Sequence, residues 1–251
     1  MLLNQLVLQL DELLVANRFR DYCPNGLQVQ GRTEVKKIIS GVTASEALID
    51  AAIAANADAI LVHHGYFWKN ESPCVVGMKR NRLAKLLAHD ISLIAYHLPL
   101  DAHPSLGNNA QLAARFGWQR TGALFPDDAS AVGDFGELFE PMTADAICEQ
   151  AQQVLQRRPL HIAGAVTEIK RVAWCTGGAQ GFIEQAAALG VDAYFSGEIS
   201  EPTVHIAREM GIHYFALGHH ASERYGVQAL GQWCQQQLGL SHQFIDVDNP
   251  V

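Results

Sequence analysis

Charge is scarce in this chain. Charged residues fill only 18% of its 251 positions, and acidic side chains outnumber basic ones 26 to 18, for a formal charge of −8. Binding along a phosphate backbone needs clustered Lys and Arg, so general affinity for nucleic acid is not supported, while a local basic patch stays open. The five cysteines (Cys23, Cys74, Cys148, Cys175 and Cys234) are odd in number and form no CxxC pair. They read as reduced, mostly buried thiols of a reducing compartment. No run approaches the ~18 apolar residues of a membrane-spanning helix. The first residues lack a basic stretch, and Asp11 and Glu12 interrupt their apolar character, so neither a signal peptide nor an anchor is expected and the cytoplasm is the expected location. The phosphate-loop signatures GxGxxG and GK[ST] and the GxSxG nucleophile elbow are all missing.

What is present is an ordinary globular balance, 49% apolar, with enough length for one large domain or two modest ones. Leu2, Leu3, Leu6, Leu10, Leu13 and Leu14 recur at helical spacing. Lys37–Val42 reads as a strand, Glu46–Ala55 as a helix capped by Thr43 or Ser45, and Ala59–Val62 as a buried strand ending in His63-His64-Gly65. A helical crossover between two strands implies parallel pairing. Residues 79–89 read as a helix and Ile91–Tyr96 as a strand. The stretch His97–His103 follows, assigned to a loop because Pro99 breaks regular structure. After a helix at Asn108–Phe116 the composition shifts to Gly, Asp, Phe and Pro, which places a domain change near residue 125. The expected division is a metal-binding α/β domain of residues 1–125 plus 212–251 and a smaller α/β domain of residues 126–211.

A second strand–helix–strand unit spans residues 170–198 and aligns without gaps on residues 36–64 at an offset of 134, with Lys36, Asp58 and Ala59 falling on Lys170, Asp192 and Ala193. The fold expected is α/β, two interlinked layered domains with an internal duplication. A helix at Glu201–Met210, a strand at Ile212–Leu217, a helix from about Ala221 to Leu238 and a last strand at His242–Val247 complete the chain.

Ligands collect at the carboxyl ends of strands in such sheets. Three predicted strand ends carry donors: His63 and His64, His97 with Asp101, and His219-His220 with Glu223. His219 and Glu223 are four apart and share a helix face, whereas His220 points elsewhere. Adjacent His63 and His64 should point to different sides and so serve two ions better than one. His63, His64, Asp101, His219 and Glu223 make five donors. Five suffice for two ions only with a bridging carboxylate and water, the pattern of a catalytic site, and mixed imidazole and carboxylate suit zinc, iron, manganese or nickel. His89, His103, His161, His205, His213 and His242 read as ordinary polar residues.

Other features weigh less. The turn Thr176–Gly181 could aim N–H groups at a phosphate, but tight-turn geometry explains its glycines equally well. Lys79, Arg80 and Arg82 fit a solvated helix start better than a phosphate site. Ser196 and Ser222 lie near candidate ligands without a nucleophile's context. Tyr66-Phe67-Trp68 could stack on a base, pack under its own loop or meet another subunit.

Four runs together, Asp21–Val29, Val62–Trp68, His97–Pro104 with Gly107-Asn108-Asn109, and Gly218–Arg224, resemble the GTP cyclohydrolase I type 2 homologue family in its short bacterial form. The resemblance covers nearly the whole chain. It implies a two-domain α/β subunit, a ring-shaped homohexamer and a dinuclear metal site facing the ring's interior. Carried over, the ligands are His63, His64, Asp101, His219 and Glu223, holding two divalent ions per chain, with His97 as a supporting group or proton carrier. Close bacterial relatives in that family are linked to resistance to radiation damage through processing of damaged nucleotides, and the activity expected from the donor set is a metal-dependent hydrolase of a nucleotide-like or other small phosphorylated or amide substrate. GTP cyclohydrolase activity itself comes with the family name only. The competing expectation is a non-catalytic, metal-stabilised ring that engages nucleic acid or a protein partner.

Overall fold

A computed structural model describes residues 1–128 and 130–251. In chain order its main elements are α1 (Leu3–Leu14), β1 (Gly26–Val29), β2 (Lys37–Thr43), α2 (Glu46–Ala54), β3 (Ala59–His64), α3 (Gly77–Ala88), β4 (Ser92–Ala95), α4 (Leu98–Ala102) and α5 (Asn108–Phe116). There follow β5 (Gln119–Ala123), β6 (Asp134–Met142), α6 (Ala144–Leu155), β7 (Leu160–Ile162), β8 (Ile169–Cys175), α7 (Ile183–Ala188), β9 (Ala193–Ser196), α8 (Glu201–Met210), β10 (His213–Ala216), α9 (His219–Leu238) and β11 (Ser241–Phe244). The chain divides into two compact α/β units: Met1–Gly107 with Gly226–Asp248, and Asn108–Tyr225 with Asn249–Val251.

The first unit holds a sheet of order β1-β4-β3-β2-β11, in which β4, β3, β2 and β11 run parallel and β1 is antiparallel on the β4 edge. Helices cover both faces, so the central strands are largely apolar on both sides and alternate between two cores. Ala59 and Leu61 pack with Leu6, Leu10, Ile38 and Ile94, whereas Ile60 and Val62 pack with Ile39, Leu48 and Leu93. The second unit holds a sheet of order β5-β6-β8-β9-β10-β7 with a parallel centre, β8-β9-β10, flanked by antiparallel strands. Its parity repeats: Trp174, Phe195 and Phe215 face one core, Tyr194 and Tyr214 the other.

The boundary at Gly107 lies before the compositional change near residue 125, because β5 pairs with β6 and draws its strand into the second sheet. The return at Gly226 lies after residue 212, since β10 pairs with β9. Ser45 rather than Thr43 caps α2, its Oγ accepting from the Leu48 N–H at 3.2 Å. The loop expected at His97–His103 is corrected: Leu98–Ala102 forms the short helix α4, with Pro99 in its first turn. There a missing N–H costs nothing, since first-turn N–H groups have no intrahelical partner. The three-residue edge strand β7 was too short to show a period.

The duplicated units share more than order. The Asp58 carboxylate accepts from the backbone N–H groups of Lys36 and Lys37, and Asp192 accepts from those of Lys170 and Arg171. Lys37 Nζ donates to the carbonyl of Ala55 and Arg171 to those of Leu189 and Gly190, each closing the end of the crossover helix. Removing either aspartate leaves two N–H groups without their acceptor, a cost of about 1–3 kcal/mol. Asp58→Ala and Asp192→Ala should each lower Tm by roughly 2–12 °C, at ~2–4 °C per kcal/mol for a chain of this size. Thermal melts that moved for one variant and not the other would end the claim of structural equivalence.

Candidate metal centre

Each unit presents its own donors. In the first, His63 is fully buried at the end of β3, and its Nδ1 lies 2.9 Å from the carbonyl oxygen of Tyr96. A carbonyl only accepts, so Nδ1 carries a proton and, in the neutral ring, Nε2 the lone pair. Nε2 in turn lies 3.5 Å from Oδ1 of Asp101, itself only 7% exposed on α4. A lone pair and a carboxylate oxygen repel at that range unless a proton or a cation lies with them. This is the chemistry of a cation site, and the residues fit one.

His64 is half-buried, with Nδ1 3.2 Å from Thr43 Oγ1. Although strand parity separates the two histidines, their rings are 4.6 Å apart and tilted by 46°. His97 joins them, its ring 5.0 Å from His63 and 5.8 Å from His64, and one ring nitrogen of each histidine lies within 4.8 Å of the others. Its own Nδ1 is 2.7 Å from Asp21 Oδ1. Asp21 also accepts from Leu98 N–H and Asn25 Nδ2. Burial raises the Asp21 pKa, but His97, Asn25 and the Tyr22 N–H outweigh it and hold the carboxyl below its ordinary value. Neighbouring Cys23 is pushed up to about 12 by burial and then by Asp21, so its thiol stays protonated.

In the second unit His219 opens α9. Its Nε2 lies 3.2 Å from Oε2 of Glu223, four residues on, and its Nδ1 2.7 Å from Oε1 of Glu198. Burial disfavours the charged ring, yet the two carboxylates prevail and raise the His219 pKa to about 9. Ion pairing at His219 therefore supports the metal-free fold below pH 6.5 and fades as pH rises through about 9. Glu198→Gln should bring the midpoint down toward 6.5, followed by NMR of the ring. An unchanged midpoint would remove Glu198 from the pair.

Sequence reasoning missed Glu198 and Asp21. For Glu198 a signal existed: at the offset of 134 it falls on His64, at the same strand end. Asp21 opens the first run that carries the family resemblance, but nothing in the sequence paired it with His97, 76 residues away. The remaining histidines that have bonds do structural work: His103 Nδ1 accepts from Ser105 and Leu106 N–H groups, His161 bonds His213, His205 meets Glu201, and His242 meets Ser40.

The Thr176–Gly181 turn is no phosphate cradle at Gly177, whose N–H donates to Ser222 Oγ. The aromatic run is split: Tyr66 is buried with its hydroxyl on the Ala44 carbonyl, Phe67 is exposed, and Trp68 is half-buried beside His97. Lys79 packs its ammonium 5.0 Å from the Phe67 ring centroid. No helix among the described residues is long and apolar enough to cross a membrane.

Comparison with known proteins agrees with this architecture. The model of a family described as Duf34/NIF3 (NGG1p interacting factor 3) matches residues 1–250. A Pseudomonas aeruginosa protein named "GTP cyclohydrolase 1 type 2 homolog" is 56% identical over 249 residues, covering 99% of this chain and 98% of its own length. The solved structure described as "Structural genomics, protein ybgI, unknown function" superposes with a TM-score of 0.96 at 50% identity over 100% of both chains. That of TTHA1606 from Thermus thermophilus gives 0.91 at 30% identity, also over 100% of both.

Proposed function

The chain belongs to the Duf34/NIF3 (NGG1p interacting factor 3) family, and from that premise we propose that it is a dinuclear metal-dependent hydrolase of a nucleotide-like or other small phosphorylated or amide substrate. Two divalent ions per chain would be held by His63, His64, Asp101, His219 and Glu223. The observation that carries the reading is His63 Nε2 set 3.5 Å from Asp101 Oδ1 with its other nitrogen already committed to Tyr96. Bound there, such ions supply Lewis acidity and make a water acidic near neutral pH. Zinc, iron, manganese and nickel all accept this mixture of donors.

The protein's own groups supply the rest. The Tyr96 carbonyl fixes the tautomer and direction of the His63 ring. The Asp21 carboxylate does the same for His97 at Nδ1, so His97 Nε2 is the atom that can take and return a proton. The nucleotide-like substrate class follows the names of the relatives, and handling of damaged nucleotides is the role it suggests.

The test is chelation followed by reloading with Zn²⁺, Mn²⁺, Fe²⁺ or Ni²⁺, metal counting, and a screen of nucleotides, phosphoesters and amides. Two ions per chain and turnover that returns with metal are expected. Absence of turnover with every metal, beside salt-sensitive retention of nucleic acid, would overturn the proposal in favour of a ring-shaped scaffold.

A further inference from the structure

Two aromatic side chains flank the His97 ring in the first unit and have no part in the metal chemistry. Tyr22 stands edge-on to His97, centroids 6.4 Å apart at 64°, and Trp68 does so at 5.0 Å and 82°. Trp68 also lies 6.0 Å from His64. Tyr22 is 61% exposed, an unusual outlay for a ring that could have been buried.

Both residues stand on pinned backbone. Tyr22 N–H donates to Asp21 Oδ1 at 2.6 Å, and its carbonyl accepts from Lys69 N–H at 2.7 Å, which joins the Tyr22 loop to the Trp68 loop. Trp68 Nε1 donates to the Gly65 carbonyl at 3.1 Å, and Trp68 N–H to Glu71 at 3.2 Å. Between the histidines and the tryptophan, Phe67 sits at φ 63°, a left-handed conformation that costs a non-glycine residue energy. Gln28 bridges the Pro24 and Tyr66 carbonyls and the Tyr66 N–H, clamping the same loop. The half-buried Trp68 ring is held through its own Nε1, and the exposed Tyr22 ring stands on a pinned backbone, so less entropy is lost when a flat ligand packs against them than on a loose loop.

We infer that Tyr22 and Trp68 are specificity-determining residues: their rings form a wall that takes a planar heteroaromatic ring and leaves its polar substituent beside His64 and His97. The inference rests on the hydrolase reading for the chemistry at the histidines, but ring binding can be measured without turnover. Stacking on an aromatic side chain tolerates any base, because every base has a π-face. A purine should therefore bind where a sugar phosphate of equal charge does not.

The experiment titrates guanosine 5′-monophosphate and ribose 5-phosphate into the chelated full-length protein, following calorimetric heat and tryptophan emission. The nucleotide should bind at least tenfold more tightly than ribose 5-phosphate and quench emission; of the other three tryptophans Trp118 and Trp174 are buried and Trp233 is partly buried against the core of the first unit, so the signal is assigned to Trp68 by its loss in the Trp68 variant. Tyr22→Ala should weaken nucleotide binding about tenfold, equal to ~1.4 kcal/mol. Tyr22→Phe, which keeps the ring face, should stay within about twofold of wild type, and Trp68→Leu should lose the quench. Equal binding of the two ligands, no nucleotide binding at millimolar concentration, or Tyr22→Ala indistinguishable from wild type would each overturn the inference. So would a change of assembly mass in Tyr22→Ala with binding unchanged, which would make the ring a contact between copies. Ring binding without hydrolysis of any substrate would leave the wall standing and remove the hydrolase; hydrolysis with no preference for planar substrates would do the reverse.

Discussion

Asp101→Asn should strip the metal-loaded protein of turnover and of at least one ion per chain. The substitution keeps the shape of a side chain that is only 7% exposed, so the fold should survive. What it removes is charge. Opposite Asp101 Oδ1 stands Nε2 of His63, which in the neutral ring carries the lone pair because Nδ1 keeps its proton and donates it in a hydrogen bond to the Tyr96 carbonyl. An amide offers that position a neutral oxygen or a donor N–H. The N–H would satisfy the histidine directly and make a cation superfluous. Losing a group that merely supports a ligand costs about 10–100-fold in affinity or activity, so a direct ligand should cost more than ~100-fold. His103→Ala is the control, since that ring only accepts turn N–H groups. Metal counting and steady-state rates decide the matter: Asp101→Asn with full metal content and wild-type rate would place Asp101 outside the centre.

Gly177→Ala should damage the His219 and Glu223 pair of the second unit. Gly177 has φ +69°, and a Cβ there would meet Glu223 Oε1 at 2.1 Å and His219 Nε2 at 3.2 Å. The backbone cannot withdraw. Its N–H is bound to Ser222 Oγ, and its carbonyl accepts from the Gly197 and Glu198 N–H groups and from Ser196 Oγ. The left-handed conformation alone costs alanine roughly 1–2 kcal/mol. Tm should therefore fall by about 2–8 °C. The displaced Glu223 carboxylate should also take an ion's worth of metal with it. Gly181→Ala in the same turn meets nothing within 4 Å and should change neither quantity. If both variants behaved alike, the close approach of Gly177 to Glu223 would not matter to the site.

Much of this was legible along the chain, for a local reason. The unbroken apolar run Ala59–Val62 marks a strand buried on both faces, and the two imidazoles that follow it close that strand; which core each side chain faces came from the structure. The four-residue spacing of His219 and Glu223 set them on one helix face, where they meet at 3.2 Å. The offset of 134 foretold the matched aspartate clips of Asp58 and Asp192 because they sit within the repeated units themselves. Pro99 misled because a proline reads as a breaker unless its position in the helix is known, and only the structure puts it in the first turn of α4.

Residue types and short-range periodicity thus determined the two α/β units, the strand ends and the imidazoles and carboxylates placed on them, since helices and strands impose their periods over a few residues. The three-dimensional structure alone decided which nitrogen of His63 keeps its proton, that Asp21 holds His97 and Glu198 holds His219, and that Gly177 must stay small to leave Glu223 its place. Those partners lie 21 to 76 residues apart and are joined by folding; of them only Glu198, which falls on His64 at the offset of 134, has an echo in the repeat.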